Sequence, residues 1–218
     1  VLLLSDGYIG QASEPWRIPE PDTLPEIEAH FATNLADFAP YRRDPETLRR
    51  LWALPGFQGM EHRIGGLEKE DGSGNVSHDP ANHERMVHIR AEKVERIAHD
   101  IPEAQVEGAP SGDLLMISWG STYGAAKTAF EKLRASGHPL SHLHLRHLNP
   151  FPKNLGDILQ RFERVVVPEL NTGHLKWLLQ ARYLKPVVSI SKVQGKPFKS
   201  VELEEKLKAL LLNNPVAV

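Results

Sequence analysis

The residues from Met60 to His83, MEHRIGGLEKEDGSGNVSHDPANH, gather histidines, carboxylates and glycines with neither a helical nor a strand period, so core packing does not account for them. The stretch reads either as a solvated loop or as an ordered loop at a subunit or active-site boundary. In the second case Glu61, His62, Arg63, Asn82 and His83 are the candidate boundary or interface residues, and the glycines favour close backbone contacts. Calcium does not suit it. An EF-hand loop starting at Asp71 needs glycine where Val76 stands and glutamate where Asn82 stands. A second group, His142, His144 and His147, places two imidazoles on one strand face with a third nearby, a set that could ligate a transition metal. No neighbouring carboxylate completes it, and His83 and His88, five apart on a helix, share no face. No metal site is assigned.

The elements that must position these groups follow from the apolar pattern. Asp79 can cap a helix with Pro80 at its first turn, and Val87, Ala91, Val94, Ala98 and Ile101 then define an apolar face that Pro102 ends. Glu84 with His88 and Glu92 with Arg96 stand four apart, in the order that favours pairing on the outer face. From Gly112 onward strands and helices alternate. The strands are Leu114 to Trp119, Leu140 to Leu145, Val165 to Val167 and Val187 to Ile190. The helices are Thr122 to Ser136, a short one about Leu155 to Phe162, Gly173 to Leu184, and Ser200 to Leu212, with Gly137 as a stop and Ser200 as a cap. This predicts an α/β domain with an open, mostly parallel sheet and flanking helices.

In such a sheet, ligands meet the loops at the carboxyl ends of the strands, where helix amino termini gather unpaired N–H groups. The candidate loop residues are Gly120, Ser121 and Thr122; Arg146, His147 and Asn149; and Glu169, Asn171 and Gly173, with a fourth loop from Gln194 to Phe198. Gly120 to Gly124 lacks both the phosphate-loop lysine and the three-glycine dinucleotide pattern, so capping by Ser121 or Thr122 outweighs anion binding.

Upstream, Val1 to Leu4 reads as a buried strand running into a turn, the close of a preceding domain in a longer chain. The proline-rich stretch Gly10 to Pro25 reads as an ordered connector anchored by Trp16, and Pro25 to Pro55 supports at most one brief helix. Three segments result: 1–25 as domain end and connector, 26–110 as an irregular connector with the long helix, and 111–218 as the α/β domain. The 26 basic and 28 acidic residues are interspersed, so no electrostatic footprint for nucleic acid or an anionic membrane is visible. The absence of cysteine excludes disulfides and any cysteine-held iron-sulfur cluster within these 218 residues, and it fits a reducing cytoplasm. No apolar run reaches membrane-spanning length.

Glu61-His62, the glycine-rich middle and Asp79-Pro80 through Asn82-His83, together with WGSTYG, LRHLNPFP, VPELN-x-G-x-L and KVQGKPF, resemble the alpha subunit of 2-oxoacid:ferredoxin oxidoreductases, the 2-oxoglutarate type most of all. The resemblance spans nearly the whole chain and implies a transketolase-C-like fold for the α/β domain. It implies an assembly that decarboxylates a 2-oxoacid on thiamine diphosphate with magnesium, passes electrons through iron-sulfur clusters to ferredoxin, and transfers the acyl group to coenzyme A. The implied partners are a beta subunit, ferredoxin through the assembly, and a symmetry mate. None of those cofactors is expected to be held by this chain alone. Asp6-Gly7 with Asn34 imitates the magnesium-diphosphate motif of thiamine enzymes, yet Ser5 stands where glycine is needed and the paired asparagines are reduced to one. The resemblance therefore implies a role in subunit assembly and active-site framing, and isolated-chain inactivity. The alternatives are a stand-alone module that binds a phosphorylated small molecule at the strand-end loops, and a pure interaction domain.

Overall fold

Runs of apolar residues with glycine or proline at their ends form the strands, and the alternation of side chains along each strand decides which helix covers which face. A computed structural model of the chain describes residues 2–5, 10, 11, 13 and 17–212. The strands are β1 (Val106–Glu107), β2 (Gly112–Trp119), β3 (Leu140–Leu145), β4 (Phe162–Glu169) and β5 (Val187–Ser191). The helices are α1 (Pro80–Arg96), α2 (Tyr123–Ala135), α3 (Leu155–Gln160), α4 (His174–Tyr183) and α5 (Ser200–Leu211). The sheet runs in the order β1-β3-β2-β4-β5, with only β1 antiparallel. This is the expected open, mostly parallel α/β architecture.

Leu114 and Met116 of β2 point to one face and pack with Ala126, Phe130 and Leu133 of α2 and Leu203 and Leu207 of α5. Leu115 and Ile117 point to the other and pack with Leu155 and Leu159 of α3 and Leu175 and Leu179 of α4. β2 thus lies in the middle of two apolar layers, and its run from Leu114 to Ser118 is buried throughout. Arg164 Nε donates to Asp113 Oδ1 at 2.9 Å, tying β4 to β2 near their amino ends.

Several local expectations need correction. Leu2, Leu3 and Leu4 pair with no strand and are exposed, because a strand has no ladder without a neighbour among the described residues. Trp16, Asp6 and Gly7, and Val1 of the expected opening strand, lie outside the described residues. Ser200 is the first residue of α5 rather than its cap: Lys199 holds the cap position, and the Glu202 carboxylate accepts the Lys199 N–H at 3.0 Å. β1 was not foreseen, since two residues carry no readable period.

The chain divides into two compact units, Glu14–Asp100 and Ile101–Val218 with Val1–Ser13; the sheet belongs to the second. The first contains α1, a 3-10 turn at Pro21–Thr23, another at Leu35–Asp37, and isolated bridges such as Lys69 with Val76. Asp79 caps α1 as expected, its Oδ1 accepting the Ala81 N–H at 3.1 Å. The helix ends at Arg96 and continues only as a 3-10 turn, short of Ile101. Its expected apolar face is also wrong: Val87, Ala91 and Val94 are exposed and Ala98 and Ile101 only half-buried, whereas Met86 is buried and Asn82, Ile89, Lys93 and Arg96 are half-buried beside it. Polar contacts from Asn82 at one end and Arg96 at the other turn that stripe inward, and apolar content alone did not reveal them.

Candidate functional site

β2 and β4 are parallel neighbours, and the helices that follow them leave on opposite faces of the sheet. That change of direction makes the carboxyl ends of the two strands a topological switch point, the usual ligand position in an open α/β sheet. The loops from Trp119 to Tyr123 and from Glu169 to Gly173 border it.

In the first loop, Gly120 takes φ +54, and Thr122 folds back on Trp119. The Thr122 hydroxyl donates to the Trp119 carbonyl at 2.7 Å and accepts the Trp119 N–H at 3.2 Å. Thr122 is buried, Ser121 half-buried and Gly120 exposed; Thr122 stands at the cap position of α2, but its side chain closes the 3-10 turn Gly120–Thr122 and makes no cap bond to the helix, which corrects the expected capping. In the second loop the protein fills the anion position itself. Fully buried Glu169 accepts the Leu175 and Lys176 N–H groups at 2.8 and 3.2 Å, and Asn171 Oδ1 accepts those of Gly173 and His174 at 2.8 and 2.9 Å. The amino-terminal donors of α4, which the sequence offered to a ligand, are therefore taken by two side chains. Arg146, His147 and Asn149, after β3, are exposed, while Pro150, Phe151 and Pro152 are buried and anchor that loop.

Beneath the first loop lies a cluster that strand register creates. Ser118 stands opposite His144, and His142 opposite Met116, so Ser118 Oγ sits 2.8 Å from His142 Nε2 and 2.9 Å from His144 Nδ1. Glu107 of β1, opposite His142 in the antiparallel pair, brings Oε1 to 3.5 Å from His142 Nδ1 and forms an ion pair with Lys127 of α2. The rings of Tyr123 and Phe130 lie 4.6 Å from His144 and 5.4 Å from His142. Burial above all pushes His142 down to about 4, with His144 and Lys127 adding to the effect and Glu107 opposing it. Burial, then Arg146, lowers His144, while a hydrogen bond to Ser118 resists. Lys127 holds the Glu107 carboxyl below its usual range. The carboxylate that the local sequence lacked comes from another strand, and a hydroxyl lies between the two rings. Among the described residues no three His, Cys, Asp or Glu side chains converge as a metal cluster. Sequence reasoning missed Glu107, Ser118 and Lys127; the signal available was that Ser118 and His144 both lie one residue before the end of adjacent parallel strands.

The loop from Met60 to His83 is ordered by its own polar groups. Asn82 spans its turn, donating to the Lys69 carbonyl at 3.0 Å and accepting the Asp71 N–H at 3.1 Å. Glu68 takes His83 Nδ1 at 2.9 Å and Arg90 Nη1 at 3.0 Å. Those two bonds, Arg90 first, hold the Glu68 carboxyl down at about 2. Glu61 accepts the Gly59 N–H at 2.8 Å, His62 donates from Nδ1 to the Met60 carbonyl at 2.8 Å, and Arg63 is exposed. Among the described residues the Glu61–Arg63 group makes no hydrogen bond or ion pair with Asn82 or His83, so the five candidates form two clusters. The same unit holds a cavity of about 370 Å³ lined by Arg42, Arg43 and Arg49 with Asp37 and Asp44, which sequence spacing did not indicate.

Comparison with known proteins gives these features a family. The pattern of the pyruvate:ferredoxin oxidoreductase core domain II matches residues 112–199. The 2-oxoglutarate oxidoreductase subunit KorA of Mycobacterium tuberculosis is 48% identical over 213 residues, 97% of this chain and 32% of that subunit. The chain belongs to the 2-oxoacid:ferredoxin oxidoreductase alpha-subunit family. Within that family, 2-oxoacid:ferredoxin oxidoreductase 2, subunit alpha, of Aeropyrum pernix is 34% identical over 154 residues, 68% of this chain and 24% of that subunit. A solved 2-oxoglutarate:ferredoxin oxidoreductase from Magnetococcus marinus, with 2-oxoglutarate, coenzyme A and succinyl-CoA bound, shares the fold with TM-score 0.81 at 24% identity, covering 88% of this chain and 34% of that one. This alpha-subunit chain thus spans about a third of the length of the M. tuberculosis subunit. The matched core domain runs from the first residue of β2 to the cap of α5, and contains Ser118, His142, His144 and Glu169. No helix among the described residues is long and apolar enough to cross a membrane.

Proposed function

We propose that the chain serves a thiamine-diphosphate-dependent assembly that oxidatively decarboxylates a 2-oxoacid, 2-oxoglutarate by preference, to the acyl-CoA with ferredoxin as electron acceptor. Its own part is subunit assembly and active-site framing, in company with a beta subunit and a second copy, in the cytoplasm. The 48% identity to KorA along nearly all of the chain carries this reading. Two features support the reading that this chain alone holds none of the assembly's cofactors. There is no cysteine to hold an iron-sulfur cluster, and the α4 amino terminus is already engaged by Glu169 and Asn171. Glu61, His62, Arg63, Asn82 and His83 remain proposed as boundary or interface residues, supported by the ordering of their loop.

The occupied α4 terminus also speaks against a stand-alone module gripping a phosphorylated molecule there. The test combines the chain, its upstream region and a candidate beta subunit, and follows 2-oxoglutarate- and coenzyme-A-dependent reduction of a redox dye. Activity should need every component. Turnover by the chain alone would refute the framing role, and no turnover by the verified full assembly would refute the activity.

A further inference from the structure

The hydroxyl of Ser118 has one proton and touches two ring nitrogens, His142 Nε2 and His144 Nδ1, so it donates to one ring and accepts from the other. The choice is made at the far end of the chain. Glu107 Oε1 lies 3.5 Å from His142 Nδ1, an ionic contact and not a hydrogen bond, since Nδ1 is buried without a hydrogen-bond partner; a carboxylate at that distance favours the tautomer that carries its proton on Nδ1. His142 Nε2 is then an acceptor, Ser118 donates to it, and the Ser118 oxygen takes the proton of His144 Nδ1. Each step forces the next. His144 is left with an unprotonated Nε2. This atom has no hydrogen-bond partner among the described residues and is absent from the buried unpaired atoms, so it reaches the surface of the half-buried ring. It lies near the carboxyl edge of β3, beside the first residue of α2, Tyr123.

We infer that the Glu107 carboxylate, by its ionic contact with His142, sets the direction of the two hydrogen bonds through Ser118, and so fixes the tautomer of His144 and presents its Nε2 as an acceptor for a hydroxyl or amide donor of a ligand at the carboxyl edge of the sheet. The direction is built from side chains of β1, β2 and β3, so it does not depend on any bound group. Lys127 contributes by holding Glu107 as a carboxylate.

The test uses the full chain labelled with nitrogen-15 histidine, and reads ring tautomers at neutral pH by long-range proton–nitrogen correlation, with His144→Gln assigning the signals. Both His142 and His144 should carry their proton on Nδ1. Diethyl pyrocarbonate, which acylates an accessible unprotonated ring nitrogen, should label His144. Ser118→Ala should return His144 to the Nε2–H form that free imidazole side chains prefer and slow its acylation several-fold. Glu107→Ala, at a partly exposed position that tolerates truncation, should produce the same reversal from two residues away, and Glu107→Gln, which keeps an acceptor oxygen, should restore the original tautomer. A proton on His144 Nε2 in the unaltered chain, or a His144 tautomer unmoved by Glu107→Ala in folded protein, would overturn the inference.

Discussion

The carboxylate of Glu169, fully buried at the end of β4, accepts the backbone N–H of Leu175 at 2.8 Å across the first turn of α4. It also takes Lys176 N–H, while Asn171 takes the two preceding donors, so the positive end of the helix is compensated from within. Glu169→Ala leaves the buried Leu175 N–H and the half-buried Lys176 N–H unpaired and should lower unfolding stability by about 2–3 kcal/mol, in line with charged hydrogen bonds. Glu169→Gln, which retains an acceptor oxygen, should fall between. Chemical denaturation checks both, and an unchanged midpoint for the alanine variant would remove the role assigned to this carboxylate.

The alternation of β2 to β5 with their helices was legible because each buried strand is a short apolar run bounded by glycine or proline, and each helix carries a 3.6-residue apolar stripe. Glu169 and Asn171 show where legibility ended. Their position after a strand was readable, but whether they receive a ligand or close a helix depends on the direction in which their oxygens point, which side-chain type does not encode. The Ser118–His142–His144 group was hidden for a different reason: it exists only in one strand register, and its carboxylate comes from a two-residue strand with no periodic signal. The inward stripe of α1 failed because it is set by polar contacts of Asn82 and Arg96.

His142 supplies a pH signature. Its folded value of about 4 lies below the ordinary 6.5, so between these values the unfolded chain binds the extra proton and the folded chain does not. Its contribution is thus fully present above pH ~6.5 and is lost as pH falls toward ~4, on the order of 3 kcal/mol. Replacing His142 by Gln should flatten the stability profile over that interval. Denaturant melts at a series of pH values for both proteins give the difference, and parallel profiles would contradict a buried neutral imidazole.

Glu68 works in a lower window. Its carboxyl is held at about 2 by Arg90 and His83, against an ordinary 4.5, so the stabilisation is complete above ~4.5 and disappears as pH falls through about 2. The Ser77 N–H donates to the Glu68 carbonyl at 3.0 Å and reports on the same turn. Its hydrogen-exchange protection, corrected for intrinsic rates, should decline through this acid range in the unaltered chain. In Arg90→Ala the decline should begin at higher pH. Identical acid profiles would separate the ion pair from the order of the loop.

Lys69 tests how the glycine-rich segment is tethered. Its side chain is buried, and its ammonium donates to the carbonyls of Gly65, at 3.2 Å, and Leu67, while its backbone bridges to Val76. The two kinds of contact are separable. Lys69→Met keeps the buried hydrocarbon stem but lacks the donor. The hairpin bonds from Glu70 N–H to the Asn75 carbonyl at 2.7 Å and from Gly74 N–H to the Glu70 carbonyl at 3.0 Å do not use the ammonium and should keep their exchange protection. The Gly65–Leu67 segment loses its only ammonium tether among the described contacts, so trypsin should cut after exposed Arg63 several-fold faster. Lys69→Ala removes the stem as well and should lower hairpin protection in addition. If methionine unravels the hairpin as fully as alanine does, the ammonium, rather than the buried stem, is what holds that turn together.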